Sequence, residues 1–220
     1  NEMVDIRFVP DLFQFVTFKA GVEDFDGLPV INLTQRPLEG WNSLVKRTMD
    51  IVLSACGLVA LAILLPFVAL AIWLEDRGPV FYTQERMGLG GKPFKAYKFR
   101  TMRGAPREGA YAGEEANRVT PLGRFLRRYR LDELPQFWNI LKGDMNLIGP
   151  RPEQKVLAEA YAREIPLYPL RHAVRPGLTG WAQVEQGYAE GKEETLVKLA
   201  YDLYYIKHLS FWLDLRILFK

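Results

Sequence analysis

Between Ile51 and Leu74 the chain carries no charged side chain for 24 positions. A helix of that length can cross a hydrocarbon core of about 30 Å, and a core helix of a soluble protein seldom stays so purely apolar. The run therefore predicts a membrane-embedded helix. Pro66 lies inside it. Proline removes a backbone donor and crowds the preceding turn, so a kink is expected there. Both flanks are basic, with Lys46 and Arg47 before the run and Arg77, Arg86, Lys92, Lys95 and Lys98 after it. Lys and Arg favour the cytoplasmic side, and a single crossing cannot place both flanks there. A re-entrant helix that bends at Pro66 and returns satisfies both.

The formal net charge is only +3, but it is unevenly placed. Residues 77–130 hold thirteen Lys and Arg against four acids, an excess of nine. Such a zone suits phosphates, nucleic acid or anionic lipid. The single cysteine, Cys56, excludes a disulfide framework and reads as a small hydrophobe within the run. His172 and His208 are the only histidines, so no His/Cys metal cluster can form. A metal here would be held by carboxylate and phosphate oxygens, which favours Mg²⁺.

The length of 220 residues allows one full domain and an accessory piece. Val4–Val9 alternates as a half-buried strand does, Pro10–Phe18 fits a short helix, and Gly27–Leu33 reads as a turn and a second strand. Residues 1–45 read as the tail of a larger, truncated N-terminal region with its linker. No cleavable signal peptide is expected, because the first long apolar run begins only at Ile51. Residues 46–78 read as the membrane segment, and 79–220 as the domain that follows it, expected from its acids and arginines to be catalytic. Residues 79–102 predict a β-hairpin turning at Gly88-Leu89-Gly90-Gly91, and 104–117 a mobile loop. Leu122–Tyr129 mixes arginines with apolar residues, as a helix in the headgroup layer does, although an ordinary surface helix reads the same. Leu196, Leu199, Leu203 and Ile206 recur at helical spacing among many aromatics, a composition that suits a membrane interface or a core. The expected class is helix-rich α+β with amphipathic interfacial helices and a small sheet.

Asp132 and Glu133 open an expected helix that runs to Leu141. Two readings stand side by side. Asp is a favoured N-cap and Pro135 is tolerated in a first turn. Alternatively, the carboxylates are catalytic: helix N-termini bind phosphate, and Arg124, Arg127, Arg128 and Arg130 lie just upstream. A carboxylate attacking phosphorus needs its target's charge neutralised, which arginine forks and Mg²⁺ do. An attacking Asp would give an acyl phosphate. Arg151 stands between Pro150 and Pro152, a rigid mount for a guanidinium or simply a rigid turn, and either X-Pro bond could be cis. Arg175–Trp181 reads as a tight turn that could line a pocket. On the hairpin, Gln84 and Arg86, and Lys98 and Arg100, sit at alternate positions, so each pair can aim at one face.

Taken in order, Lys46-Arg47-Thr48-Met49-Asp50, the apolar run with Pro66, Gln84–Gly88, Lys98–Met102, Gly123–Arg127, Leu131–Gln136, Asn139–Met145, Gly149–Pro152 and Pro176–Gly180 resemble the monotopic phosphoglycosyl transferases, the bacterial sugar transferase family. Each motif is weak alone, but the ordered series over about residues 46–220 is specific. The resemblance implies a monotopic protein of the bacterial inner membrane, with its site on the cytoplasmic face, and makes residues 1–45 the end of a nucleotide-binding-like domain. It implies that Asp132 attacks the sugar-bearing phosphate of a UDP-sugar and releases UMP. Undecaprenyl phosphate then takes the phosphosugar. Glu133 matches the partner carboxylate, tied to Mg²⁺ together with Asp132 or to activation, and Arg151 a phosphate-binding arginine. Glucose- or galactose-1-phosphate is the expected cargo, in priming of exopolysaccharide, capsule or O-antigen synthesis. Candidate phosphate and substrate ligands are Arg151, Arg86, Lys98, Arg100, Arg124, Arg127, Arg175 and Gln136. Two departures are visible: Leu65, where small members often have Ser before the proline, and Val184–Tyr188, where many carry an Asn-Gly-Arg-like run.

Two other expectations compete. Undecaprenyl phosphate could attack directly, with Asp132 as base or metal ligand. A non-catalytic scaffold could bind anionic lipid through residues 77–130. Nucleic-acid binding is not expected, given the apolar run and the lack of a reading motif; a homo-oligomer is left open.

Overall fold

The computed structural model describes residues 23–25, 28–30, 41–104, 109, 116–186 and 191–220. The chain divides into two compact units, Asn1–Pro37 and Leu38–Lys220. In the first, β1 (Glu23–Phe25) and β2 (Leu28–Val30) pair antiparallel with Glu23 opposite Val30. The strand expected within Gly27–Leu33 is thus present as β2. The strand at Val4–Val9 and the helix at Pro10–Phe18 fall outside the described residues.

The second unit is built along one helix, α1 (Trp41–Asp76), of 36 residues. At 1.5 Å per residue it is about 54 Å long. Its middle is long and apolar enough to cross a membrane, and most of its surface is open, Ile63 being 66% and Phe67 71% exposed. Burying so much apolar surface requires a lipid or protein partner. Pro66 lies inside α1, which continues as helix on both sides of it. Lacking an N–H, Pro66 leaves the Ala62 carbonyl without its usual intrahelical donor.

One stripe of α1 packs on the rest of the unit along its length. Near the start, the Lys46 ammonium reaches Asp214 at 2.5 Å and the Ile148 carbonyl at 3.0 Å, while Asp50 accepts from the Leu147 amide at 2.9 Å. In the middle, Gly57 lies against the Phe137 ring; a Cβ there would come within 2.6 Å of it. At the far end, Glu75 accepts from the Leu122 amide at 3.1 Å, and Asp76 pairs with Arg100 at 3.2 Å. Lys46 and Arg47, read from the sequence as flanking charges, thus have internal partners. Arg47 donates to the Ile140 and Leu141 carbonyls at 2.7 and 2.8 Å, filling acceptors that a helix end leaves open.

The hairpin is as expected. β3 (Phe81–Met87) and β4 (Pro93–Phe99) pair antiparallel, Tyr82 opposite Lys98 and Arg86 opposite Phe94. The turn uses Gly90 and Gly91 at φ of 63° and 71°, where a side chain would be strained. Residues 105–108 and 110–115 of the expected loop lie outside the described residues, but its base is closed by a bridge between Met102 and Val119. α2 (Pro121–Arg128) starts with Thr120 accepting from the Gly123 amide at 2.9 Å, a regular N-cap.

After α3 (Gln136–Lys142) come β5 (Asn146–Ile148), α4 (Lys155–Glu164), β6 (Gly177–Thr179), α5 (Trp181–Glu185), α6 (Lys192–Lys207) and α7 (Phe211–Leu218). The expected tight turn at Arg175–Trp181 is instead β6, paired in parallel with β5. Its glycines permit backbone-on-backbone contact: a Cβ on Gly177 would lie 2.1 Å from the Gly149 nitrogen, and one on Gly180 2.1 Å from the Gly149 oxygen. That contact welds the Gly149–Pro152 and Pro176–Gly180 motifs together.

Two apolar clusters hold these pieces. One joins Ile140, Met145, Leu147, Ile148, Tyr205 and Ile217; the other joins Leu61 and Ile72 of α1 to Phe99 and Leu126. The helical spacing read at the C-terminus is α6, with Leu199 buried. The aromatics beyond it are open: Trp212 is 75% and Phe219 82% exposed.

Candidate active site

Asp132 and Glu133 do not open α3. They form a 3-10 turn, Leu131–Glu133, entered through Arg130 in the left-handed conformation at φ 57°. Pro135 precedes α3 and no side chain caps it, so the capping reading of Asp132 is not what the fold uses. The turn exists because α2 must stop and redirect the chain under the hairpin. Leu131 and Leu134 pack into the α1 cluster while the acids between them face β4. Both carboxylates are largely buried, Asp132 being 7% and Glu133 6% exposed.

Their surroundings differ. Glu133 Oε1 accepts from Lys98 at 2.7 Å and from Arg151 Nη2 at 2.5 Å, and Oε2 accepts from Arg151 Nη1 at 3.3 Å. Burial would raise its pKa, but the charges of Arg151 and then Lys98 outweigh that and hold it well below the usual carboxylate range. Among the described residues no hydrogen bond reaches the Asp132 carboxylate. Burial is the main influence on it and raises its pKa; Lys98 opposes that most, Glu133 adds to it, and Arg127 and Arg151 oppose it. Lys98 is itself lowered to about 8, by burial first, with Glu133 resisting and Arg151 and Arg86 reinforcing.

The site assembles from four directions. Gln84 and Arg86 share one face of β3, as their alternation predicted, and the register, with Tyr82 opposite Lys98, brings Lys98 to the same face. Arg86 donates to the Pro152 carbonyl at 2.9 Å and to Gln84 at 2.5 Å. Arg127 is anchored on the Thr101 hydroxyl at 2.9 Å. Gln136 is buried one turn past Asp132, its amide nitrogen unpaired among the described residues. Arg100 is occupied with Asp76. Arg124 and Arg175 are exposed, and among the described residues nothing bonds them to the carboxylates. All described peptide bonds are trans, including those at Pro150 and Pro152.

The residues behind the site had no signal in the sequence. Glu153, partly buried, is ion-paired with Lys198, and Arg171 with Asp202 at 2.7 Å, the last two fully buried. Asn139, wholly buried, accepts from the Tyr97 amide at 3.1 Å and donates to the Lys95 carbonyl at 2.8 Å, tying β4 to α3. Only an alignment showing these pairs varying together could have found them.

Among the described residues no three His, Cys, Asp or Glu side chains converge as a metal cage. That still fits Mg²⁺, which commonly uses one or two carboxylates with phosphate oxygens and waters. Asp132 has the open lone pairs, and Glu133, with three donors already, has little left to give.

The model of the bacterial sugar transferase family matches residues 41–220. The chain is 47% identical over 180 residues to the UDP-N-acetylgalactosamine-undecaprenyl-phosphate N-acetylgalactosaminephosphotransferase of Aeromonas hydrophila, covering 81% of this chain and 43% of that protein. It is 41% identical over 218 residues to the UDP-glucose:undecaprenyl-phosphate glucose-1-phosphate transferase of Escherichia coli (strain K12), covering 97% of this chain and 47% of the relative. A Caulobacter vibrioides protein named for the same glucose-1-phosphate transfer is 44% identical over 181 residues, covering 80% of this chain and 68% of its own length. The chain thus spans slightly under half the length of the first two. With the family model covering all of the second unit from Trp41 onward, the chain belongs to the bacterial sugar transferase family.

Proposed function

We propose that this chain transfers a hexose 1-phosphate from a UDP-sugar to undecaprenyl phosphate, with Asp132 as nucleophile. The observation that carries the reading is the division between adjacent acids: Glu133 is clamped by Lys98 and Arg151, while Asp132 stays open among cations. The names of the relatives support the class of donor and acceptor. The Asp132 carboxylate attacks the phosphorus bearing the sugar, the bond to the bridging oxygen breaks, and its electron pair leaves on UMP. An oxygen of undecaprenyl phosphate then attacks the same phosphorus. The bond to Asp132 breaks, its carboxylate returns, and a polyprenyl-diphosphate sugar results. Lys98, Arg151, Arg127 and Arg86 face the phosphoryl oxygens, with Glu133 fixing the first two. Mg²⁺ held by Asp132, with Glu133 beside it, would neutralise charge on the diphosphate.

Both ends of α1 are tied to the unit that carries this site. A straight crossing would put the ends on opposite sides of the bilayer. The tethering supports a monotopic, re-entrant placement bent near Pro66, with the site on the cytoplasmic face. The exposed Trp212 and Phe219 of the C-terminal region, and Phe125 and Tyr129 of α2 and its end, suit the interface. The first test supplies nanodisc-embedded protein with UDP-glucose, UDP-galactose and UDP-N-acetylgalactosamine, Mg²⁺ and undecaprenyl phosphate. UMP release that disappears in Asp132→Asn is expected; UDP release would overturn the reaction class. Phosphosugar trapped on the protein without lipid acceptor is expected too, and clean failure to trap it would favour direct attack.

A further inference from the structure

Arg151 sits in a segment with few backbone handles, because Pro150 and Pro152 have no N–H to donate. The segment is gripped instead by its carbonyls, four in succession. Pro150 accepts from the Gly177 amide at 2.9 Å and Arg151 from Arg171 Nη2 at 2.9 Å; Pro152 accepts from Arg86 at 2.9 Å and Glu153 from the Met87 amide at 2.9 Å. Of these four grips, only Arg171 acts on the residue whose guanidinium meets Glu133.

Arg171 is itself fixed. It belongs to the 3-10 segment Tyr168–Ala173 and is 3% exposed. Nη1 donates to the Tyr168 hydroxyl at 2.8 Å, and Nη2 is shared between the Arg151 carbonyl and Asp202 Oδ2 at 2.7 Å. Asp202 lies on α6. A buried ion pair is a weak stabiliser compared with apolar residues of the same volume, so stability alone gives little reason for one here. A planar guanidinium, however, can satisfy an anion and a carbonyl together, which an ammonium does poorly.

We infer that Arg171, held by Asp202, is a positioning residue that sets Arg151 on Glu133 and so fixes the phosphate-facing side of the active site. This rests on the function proposed above. The path runs from α6 through Asp202 and Arg171 to the Arg151 carbonyl, and from the Arg151 side chain to Glu133.

The test replaces the buried pair by apolar residues, Arg171→Met with Asp202→Leu. This leaves the net charge unchanged and removes the grip on Arg151. UMP release is measured in nanodiscs for wild type, the paired variant, Arg151→Lys and their combination, with thermal melting alongside. The expected result is a variant that melts close to wild type, loses at least tenfold in kcat with a smaller change in KM, and loses under twofold more in the Arg151→Lys background. Such non-additivity is the mark of two residues acting as one. A folded paired variant with kcat within twofold of wild type overturns the inference. So does a loss that multiplies fully with that of Arg151→Lys. If the paired variant does not fold, Arg171→Lys is read by the same criteria, since it keeps the charge opposite Asp202 but not the shared fork. Wild type that releases no UMP overturns the function and the inference together; an active wild type with a paired variant within twofold of it overturns the inference alone.

Discussion

Lys98 offers the most direct reading of the site's electrostatics. Its ammonium is drawn down from 10.5 to about 8 because it is buried beside Arg151 and Arg86, and only Glu133 and Asp132 hold it up. Activity that needs this cation should fall above pH 8, with about a tenth of Lys98 still charged one unit higher. The profile of kcat/KM reports the free enzyme, so its alkaline limb should lie near 8. The limb of kcat should lie higher, because bound diphosphate favours the charged form. Lys98→Arg keeps a charge that is not lost in this range, so the limb should move beyond pH 10, whatever the rate at neutral pH. Glu133→Gln removes the largest influence raising Lys98 and should move the limb below 8. Initial rates of UMP release from pH 6 to 10 at constant ionic strength measure both. A limb that stays near 8 in Lys98→Arg would refute the assignment.

Two further outcomes follow from the packing. Glu153 is partly buried, but Lys198 and then Arg171 hold its carboxyl down from 4.5 to about 2. A depressed carboxylate stabilises the fold above its unfolded pKa and loses that contribution as pH falls through the folded one, here from about 4.5 to about 2. The shift corresponds to an upper limit of roughly 3 kcal/mol. Glu153→Gln should therefore lower the melting temperature at pH 7 yet flatten its decline between pH 5 and 2; an unchanged acid slope would contradict this. Gly177→Ala would press a methyl to 2.1 Å from the Gly149 nitrogen, so a loss of about 1–3 kcal/mol or more is expected in thermal denaturation. A neutral result would mean that β5 and β6 part easily.

What was legible in the sequence was periodic or local. The uncharged run, the alternation that put Gln84 and Arg86 on one hairpin face, and the glycine turn each carry a short-range signature. The adjacency of Asp132 and Glu133 also marks the candidate site, but its geometry does not follow from it. A first helical turn and a 3-10 turn look alike in sequence, and only the need to seat Leu131 and Leu134 against α1 decides between them. The partner of Lys46 is hidden for the opposite reason. A basic residue before an apolar run looks like a flanking charge, and its partner Asp214 is 168 positions away. Glu153 with Lys198 and Arg171 with Asp202 are also distant pairs, 45 and 31 positions apart, that a single sequence does not announce. The glycines of β6 resembled a turn because glycine serves turns and close backbone packing equally well.

The uneven treatment of the two acids leaves the centre unbalanced. Lys98, Arg151, Arg127 and Arg86 outnumber Asp132, Glu133 and the Glu153 carboxylate that acts on Arg86, so the centre keeps an excess of positive charge. That excess makes the centre a small anion exchanger. Any compact oxyanion in the surrounding solution, inorganic pyrophosphate or sulfate included, should compete for it. Raising ionic strength should then weaken capture of the proposed nucleotide-sugar donor well before it disturbs the fold.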